Sequence, residues 1–124
     1  MFQNLDIFRI AQSMAVHAGR RQAVIAQNIA NADTPGYKPQ DLAAFSDLLR
    51  QSEPGGTMGR RDLAATVSGM EPQTVRGAAE SPNGNGVSLE QEMVKSVDAR
   101  RQHDQALAIY KSALTIMRST LGRR

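Results

Sequence analysis

The chain has no cysteine and no tryptophan. The first absence excludes a disulfide framework, a thiolate zinc centre and a cysteine nucleophile. The second is part of a wider shortage of bulky apolar groups. Leu, Ile, Val and Phe together make up 25 of 124 residues, and Phe and Tyr supply only 4% aromatics. That is close to the composition at which chains stop folding alone. The apolar fraction reaches 40% mainly through alanine, which favours closely packed helices or a core completed by partners. No stretch approaches the roughly 18 consecutive apolar residues of a membrane span. The opening Met1-Phe2-Gln3-Asn4-Leu5-Asp6 is not a basic leader followed by an apolar run, so no cleavable secretory signal is expected.

What is present divides into three unlike parts, within a length that suits one domain. Residues 5–31 contain no proline and one glycine, Gly19. Phe8, Ala11, Ala15, Ala18, Gln22, Ile25 and Ile29 recur at alternating spacings of 3 and 4, an a/d seam that predicts an N-terminal helix. It stops at residues 32–36, where Pro35 forces Thr34 out of helical dihedrals and Pro35-Gly36 suits a type II turn. A short amphipathic helix is expected within residues 41–50, with Leu42, Phe45, Leu48 and Leu49 on one side. Residues 51–87 read as a flexible loop, with an extended piece near residues 62–67. Seven Gly and three Pro fall in residues 51–86, where Leu63, Val67 and Val75 are the only Leu, Ile, Val or Phe.

Residues 88–121 predict a second long helix. Ser88 begins it and Gln91 completes a capping box, with Glu90 and Glu92 at the positive end. Leu89, Met93, Ser96, Arg100, His103, Leu107, Tyr110, Leu114, Met117 and Leu121 alternate spacings of 4 and 3. Such a seam reads as coiled coil. Its waist is polar at Ser96, Arg100 and His103, so that stretch must face water, a lumen or a neighbouring chain that pairs with it. The fold class is therefore all-α: two long terminal helices in an antiparallel coiled-coil hairpin, joined by a short helix and a long flexible loop.

Catalysis finds little footing. His17 and His103 lie far apart, and His103-Asp104 is better read as a solvated polar position than as a metal site. The phosphate-cradle and nucleophile-elbow motifs are absent. No catalytic residue, cofactor or metal is assigned. Four arginine pairs, 20–21, 60–61, 100–101 and 123–124, have no adjoining aromatics. Neighbours on a helix point about 100° apart, so nucleic-acid binding is disfavoured. Solvated helix faces beside acids such as Glu92, Asp98 and Asp104 are the simpler reading.

The specific signal is Ala26-Gln27-Asn28-Ile29-Ala30-Asn31-Ala32-Asp33-Thr34-Pro35-Gly36-Tyr37-Lys38. It resembles the N-terminal signature of the rod and hook family, the axial proteins of the bacterial flagellum. Asn83-Gly84-Asn85-Gly86-Val87-Ser88-Leu89-Glu90-Gln91-Glu92-Met93 is similar to the start of the C-terminal helix in the family's proximal rod members. The family usually has a second Asn where this chain has Gly86, and Asp where it has Ser88; both changes keep turn and cap chemistry. The resemblance covers residues 1–50 and 83–121.

It implies a structural subunit of the proximal rod, polymerising through its terminal helices into a drive shaft around the export channel. It further implies export by the flagellar type III apparatus, a place in the periplasmic basal body, and no nucleic acid or direct membrane span. The implied partners are other copies, other rod subunits, and the inner-membrane ring and export-gate base proteins. Asn28, Asn31, Thr34, Pro35, Gly36 and Tyr37 then form an assembly motif. The alternatives are a non-polymerising helical-hairpin adaptor or export chaperone, or a more distal rod protein.

Overall fold

A computed structural model describes residues 2–59, 62–77, 82 and 84–122. Two helices dominate it, α1 (Phe2–Ala30) and α4 (Leu89–Leu121), of 29 and 33 residues. They lie side by side with opposite sense. Asn28 of α1 meets Glu92 of α4, His17 meets Gln102, and the Phe8 ring meets Tyr110 with centroids 5.0 Å apart. Between them come β1 (Gln40–Asp41), α2 (Phe45–Gln51), α3 (Leu63–Ser68) and β2 (Gln73–Thr74). The strands pair antiparallel, Gln40 opposite Thr74 and Asp41 opposite Gln73. The molecule is thus mostly helical, with a small two-stranded sheet that an all-α reading did not include.

The helix ends follow local chemistry. Ser88 caps α4 by accepting from the Gln91 amide, and Gly122 follows its last turn. The end of α1 passes through a type II turn at residues 34–37. There the Tyr37 amide bonds the Thr34 carbonyl at 3.3 Å, and Gly36 has φ +75°. Gly84, with φ +80°, comes so near that an added Cβ would sit 3.4 Å from the Gly36 Cα. A side chain at either glycine would be strained by its positive φ, although an added Cβ would meet no clash.

Two expectations need correction. Residues 62–68 form helix, not an extended piece in a loop, and they hold much of the core. Leu63 and Val67 are 1% and 0% exposed, and they pack with Phe45 and Leu48 of α2. The reason is visible in Met58 and Met70, which pack against the same cluster together with Ile10 and Met14 of α1. Methionine fills irregular gaps as well as Leu or Val does. A tally of Leu, Ile, Val and Phe alone therefore undercounts what this segment buries.

The second correction concerns the α4 face that meets α1. Its buried line is Glu92, Ala99, Ala106 and Ala113, one residue before the expected seam in every heptad. Ala11, Ala18 and Ile25 of α1, also seven apart, are the matching buried line. Small side chains let two helices pack closely, and dispersion between near backbones replaces bulk. The expected seam residues of α4 lie beside this contact. Leu89, Met93, Arg100, Leu107, Tyr110 and Leu121 are exposed, while Ser96, His103, Leu114 and Met117 are half-buried. On α1, Phe8 and Ala15 are half-buried, and Gln22 and Ile29 are exposed.

Candidate functional site

The signature stretch and the start of α4 meet in one polar cluster. Asn28 is 0% exposed and uses its whole amide. Its Nδ2 donates to the Gln40 carbonyl at 2.7 Å and to Glu92 Oε2 at 3.1 Å. Its Oδ1 accepts from the Gln40 amide at 3.0 Å and the Tyr37 hydroxyl at 3.2 Å. One side chain thus ties α1, the post-turn segment and α4 together. Glu92, a carboxylate at 1% exposure, is held by Asn28 and by Lys95 Nζ at 3.4 Å. A buried carboxylate is tolerated only with such partners. Lys95 also reaches Asp41 at 3.9 Å, and Arg21 grips Asp41 through Nε and Nη2 at 3.0 and 3.2 Å.

Asn85 closes the other side. Its Nδ2 lies 2.6–2.9 Å from the carbonyl oxygens of Asn31, Ala32 and Thr34, and its Oδ1 accepts from the Val87 amide at 2.8 Å. These carbonyls sit just past the end of α1, where the helical ladder no longer continues, and Asn85 adds to the turn bonds that Asn31 and Thr34 accept from the Thr34 and Tyr37 amides. Asn31 donates back to the Gln27 carbonyl and accepts from the Thr34 hydroxyl. The six expected motif residues are therefore brought together, but unequally. Asn28 is buried, Asn31 and Tyr37 are half-buried, and Thr34, Pro35 and Gly36 are exposed. Gly86 donates its amide to the Tyr37 carbonyl at 3.0 Å, so the two signature stretches of this sequence form one latch.

Several residues escaped the sequence reading. Arg20 does not sit on a solvated face: its guanidinium donates to the Ser68 carbonyl at 2.7 Å and to that of Met70, at the end of α3. Arg21 pairs with Asp41, not with an acid on α4. Arg100 and Arg101 are exposed; the pairs 60–61 and 123–124, like Asn83, lie outside the described residues. The signal for Glu92 and Asn85 was a polar side chain within an otherwise apolar or turn-forming run, which local reading assigns to caps and turns. Only the tertiary partners distinguish the two. No group of three or more His, Asp or Glu side chains among the described residues is placed to hold a metal ion. No helix there is long and apolar enough to cross a membrane.

His17, 1% exposed, links α1 to the rest differently. Its Nε2 is 2.7 Å from the Ala43 carbonyl, which requires a proton on that nitrogen, and its Nδ1 is 2.9 Å from Gln102 Nε2. Burial lowers the His17 pKa from its ordinary 6.5, opposed by the Ala43 carbonyl and Asp41 and aided by Arg21 and Arg20. The neutral ring is thus the folded form. The unfolded chain binds more protons between the lowered value and about 6.5, so stability rises with pH across that window, and it is lost as the pH is lowered from about 6.5 towards the lowered value. Denaturant titrations at successive pH values are expected to show that loss in the native chain and a flatter profile in His17→Gln. Equal slopes for the two proteins would refute the assignment.

The cluster's sequence matches a known group. A family model described as flagella basal body rod protein matches residues 8–38. The FlgB basal body rod protein of Agrobacterium fabrum is 27% identical over 129 residues, spanning 98% of this chain and 96% of its own. That of Salmonella typhimurium is 29% identical over 134 residues, spanning 98% and 97%. The Proteus mirabilis protein is 36% identical over 63 residues, 51% of this chain and 45% of its own. The chain is thus similar, over nearly its whole length, to flagellar basal-body rod proteins. The relatives matched over that length are FlgB proteins.

Proposed function

We propose that this chain is a proximal rod subunit that polymerises through α1 and α4 into the shaft transmitting torque around the export channel. The observation that carries the reading is the open heptad face of α4. Met93 and Leu121 are each 65% exposed, and Leu89, Leu107 and Tyr110 are about half exposed, on one heptad stripe. Isolated exposed apolar residues need no explanation, but a periodic stripe along a whole helix calls for a cover. In this reading α1 and α4 act as a coiled-coil hairpin whose remaining face is buried by other copies, other rod subunits and, at its base, ring and export-gate proteins. The latch around Asn28 sets the geometry of that hairpin and acts on assembly indirectly, since Asn28 itself reaches no surface.

Ser96, Arg100 and His103 interrupt the stripe. They are assigned to the channel lumen or to acidic groups of an adjacent subunit, because an unpaired buried Arg100 would cost several kcal/mol. An export adaptor would instead bind one partner at fixed stoichiometry. Photo-crosslinkers placed at Met93 and Leu107 in basal bodies distinguish the two. Crosslinks to rod and ring components are expected; crosslinks confined to soluble export clients would overturn the proposal.

A further inference from the structure

The stripe on α4 has a direction, and its charges follow that direction. Exposed Glu90 and Asp104 lie on one heptad line flanking the stripe, followed along the same line by exposed Lys111 and Arg118. The line is acidic at its start and basic at its end. Among the described residues, neither Glu90 nor Arg118 has an ion pair within the chain. A parallel pair of α4 helices would set Arg100 against Arg100 and His103 against His103, with like charge ends together. An antiparallel pair resolves both problems in one register.

In that register Met93 faces Met117 of the second copy, Arg100 faces Tyr110, and Leu107 faces His103. Each polar waist residue then meets an apolar or aromatic one, and Arg100 gains a tyrosine ring that is held by its own T-shaped contact with Phe8. Flanking positions in an antiparallel coiled coil pair like with like, which sets Glu90 opposite Arg118 twice. Asp104 meets its own copy on the axis, beside Arg100 and Arg101 of both chains.

We infer that the free chain pairs with a second copy of itself, α4 against α4 in antiparallel sense, covering the stripe. A two-fold contact of this kind is closed, so it caps the face and does not propagate it. The pair is a soluble form that must separate before the same face meets other neighbours. It rests on the charge order and the waist, not on the assignment to the rod, and either can fail without the other.

The absence of native cysteine makes the register directly readable. Met93→Cys and Met117→Cys proteins, mixed and mildly oxidised, are expected to give a disulfide-linked dimer that neither gives alone. Sedimentation equilibrium of the unmodified full chain is expected to show a monomer–dimer equilibrium. Glu90→Lys should weaken it at least tenfold, and Glu90→Lys with Arg118→Glu should restore it, although both changes oppose the helix dipole. A chain monomeric at every concentration, growth beyond the dimer, or a disulfide in Met93→Cys alone would overturn the inference. Far-ultraviolet dichroism of each variant reports whether the helices persist, so failure to fold is seen separately.

Discussion

Asn28→Ala is expected to destabilise the fold by roughly 3–4 kcal/mol, several times the effect of an average surface change. The substitution removes four hydrogen bonds at once and leaves Glu92 buried with only Lys95. A buried acceptor without its donor costs more than the bond itself was worth. Asn28→Asp sharpens the test, because the shape is kept while a second carboxylate is set beside Glu92. Two close carboxylates resist ionising together. Asn28→Asp should therefore be unstable at neutral pH and recover as the pH is lowered through the carboxylate range. The measurement is a denaturant midpoint series across pH. A fold indifferent to Asn28→Ala would show that the Asn28–Glu92 contact is incidental.

Leu63→Ala is expected to cost about 2–5 kcal/mol, the range for truncating a buried leucine in a core that relaxes only partly. Leu63 is 1% exposed and packs with Phe45, Leu48 and Val67 beneath α1. The prediction bears directly on the nature of the middle segment. If residues 62–68 were a loop loosely attached to a self-sufficient hairpin, the change would be nearly silent in thermal melting and in hydrogen exchange of α1. We expect instead that α1 amides near Ile10 and Met14 lose protection together with α3, since those side chains share the cluster.

Much of this molecule was legible from local chemistry. The Ser88 cap fixed the start of α4, and the Pro35-Gly36 pair fixed the turn that ends α1. The second helix of the middle segment was not legible. Its apolar content is carried by methionines and by two residues four apart, too short a pattern to separate helix from loop. Nor did residue type reveal that Arg20 caps α3 or that His17 is buried neutral, because each role depends on a carbonyl far away in sequence.

The heptad pattern illustrates the same division. Spacing by itself determined that α4 is a long helix with an apolar stripe, since periodicity depends only on backbone geometry and side-chain type. It determined too that the stripe has a polar waist. Which neighbour covers which line was decided only in three dimensions. Ala99, Ala106 and Ala113 lie on α1 because small side chains allow the closer approach, leaving the bulkier stripe open. The sequence thus sets what each helix offers. Packing selects among the offers, because the energy of a contact belongs to both surfaces and only one of them is written in any local stretch.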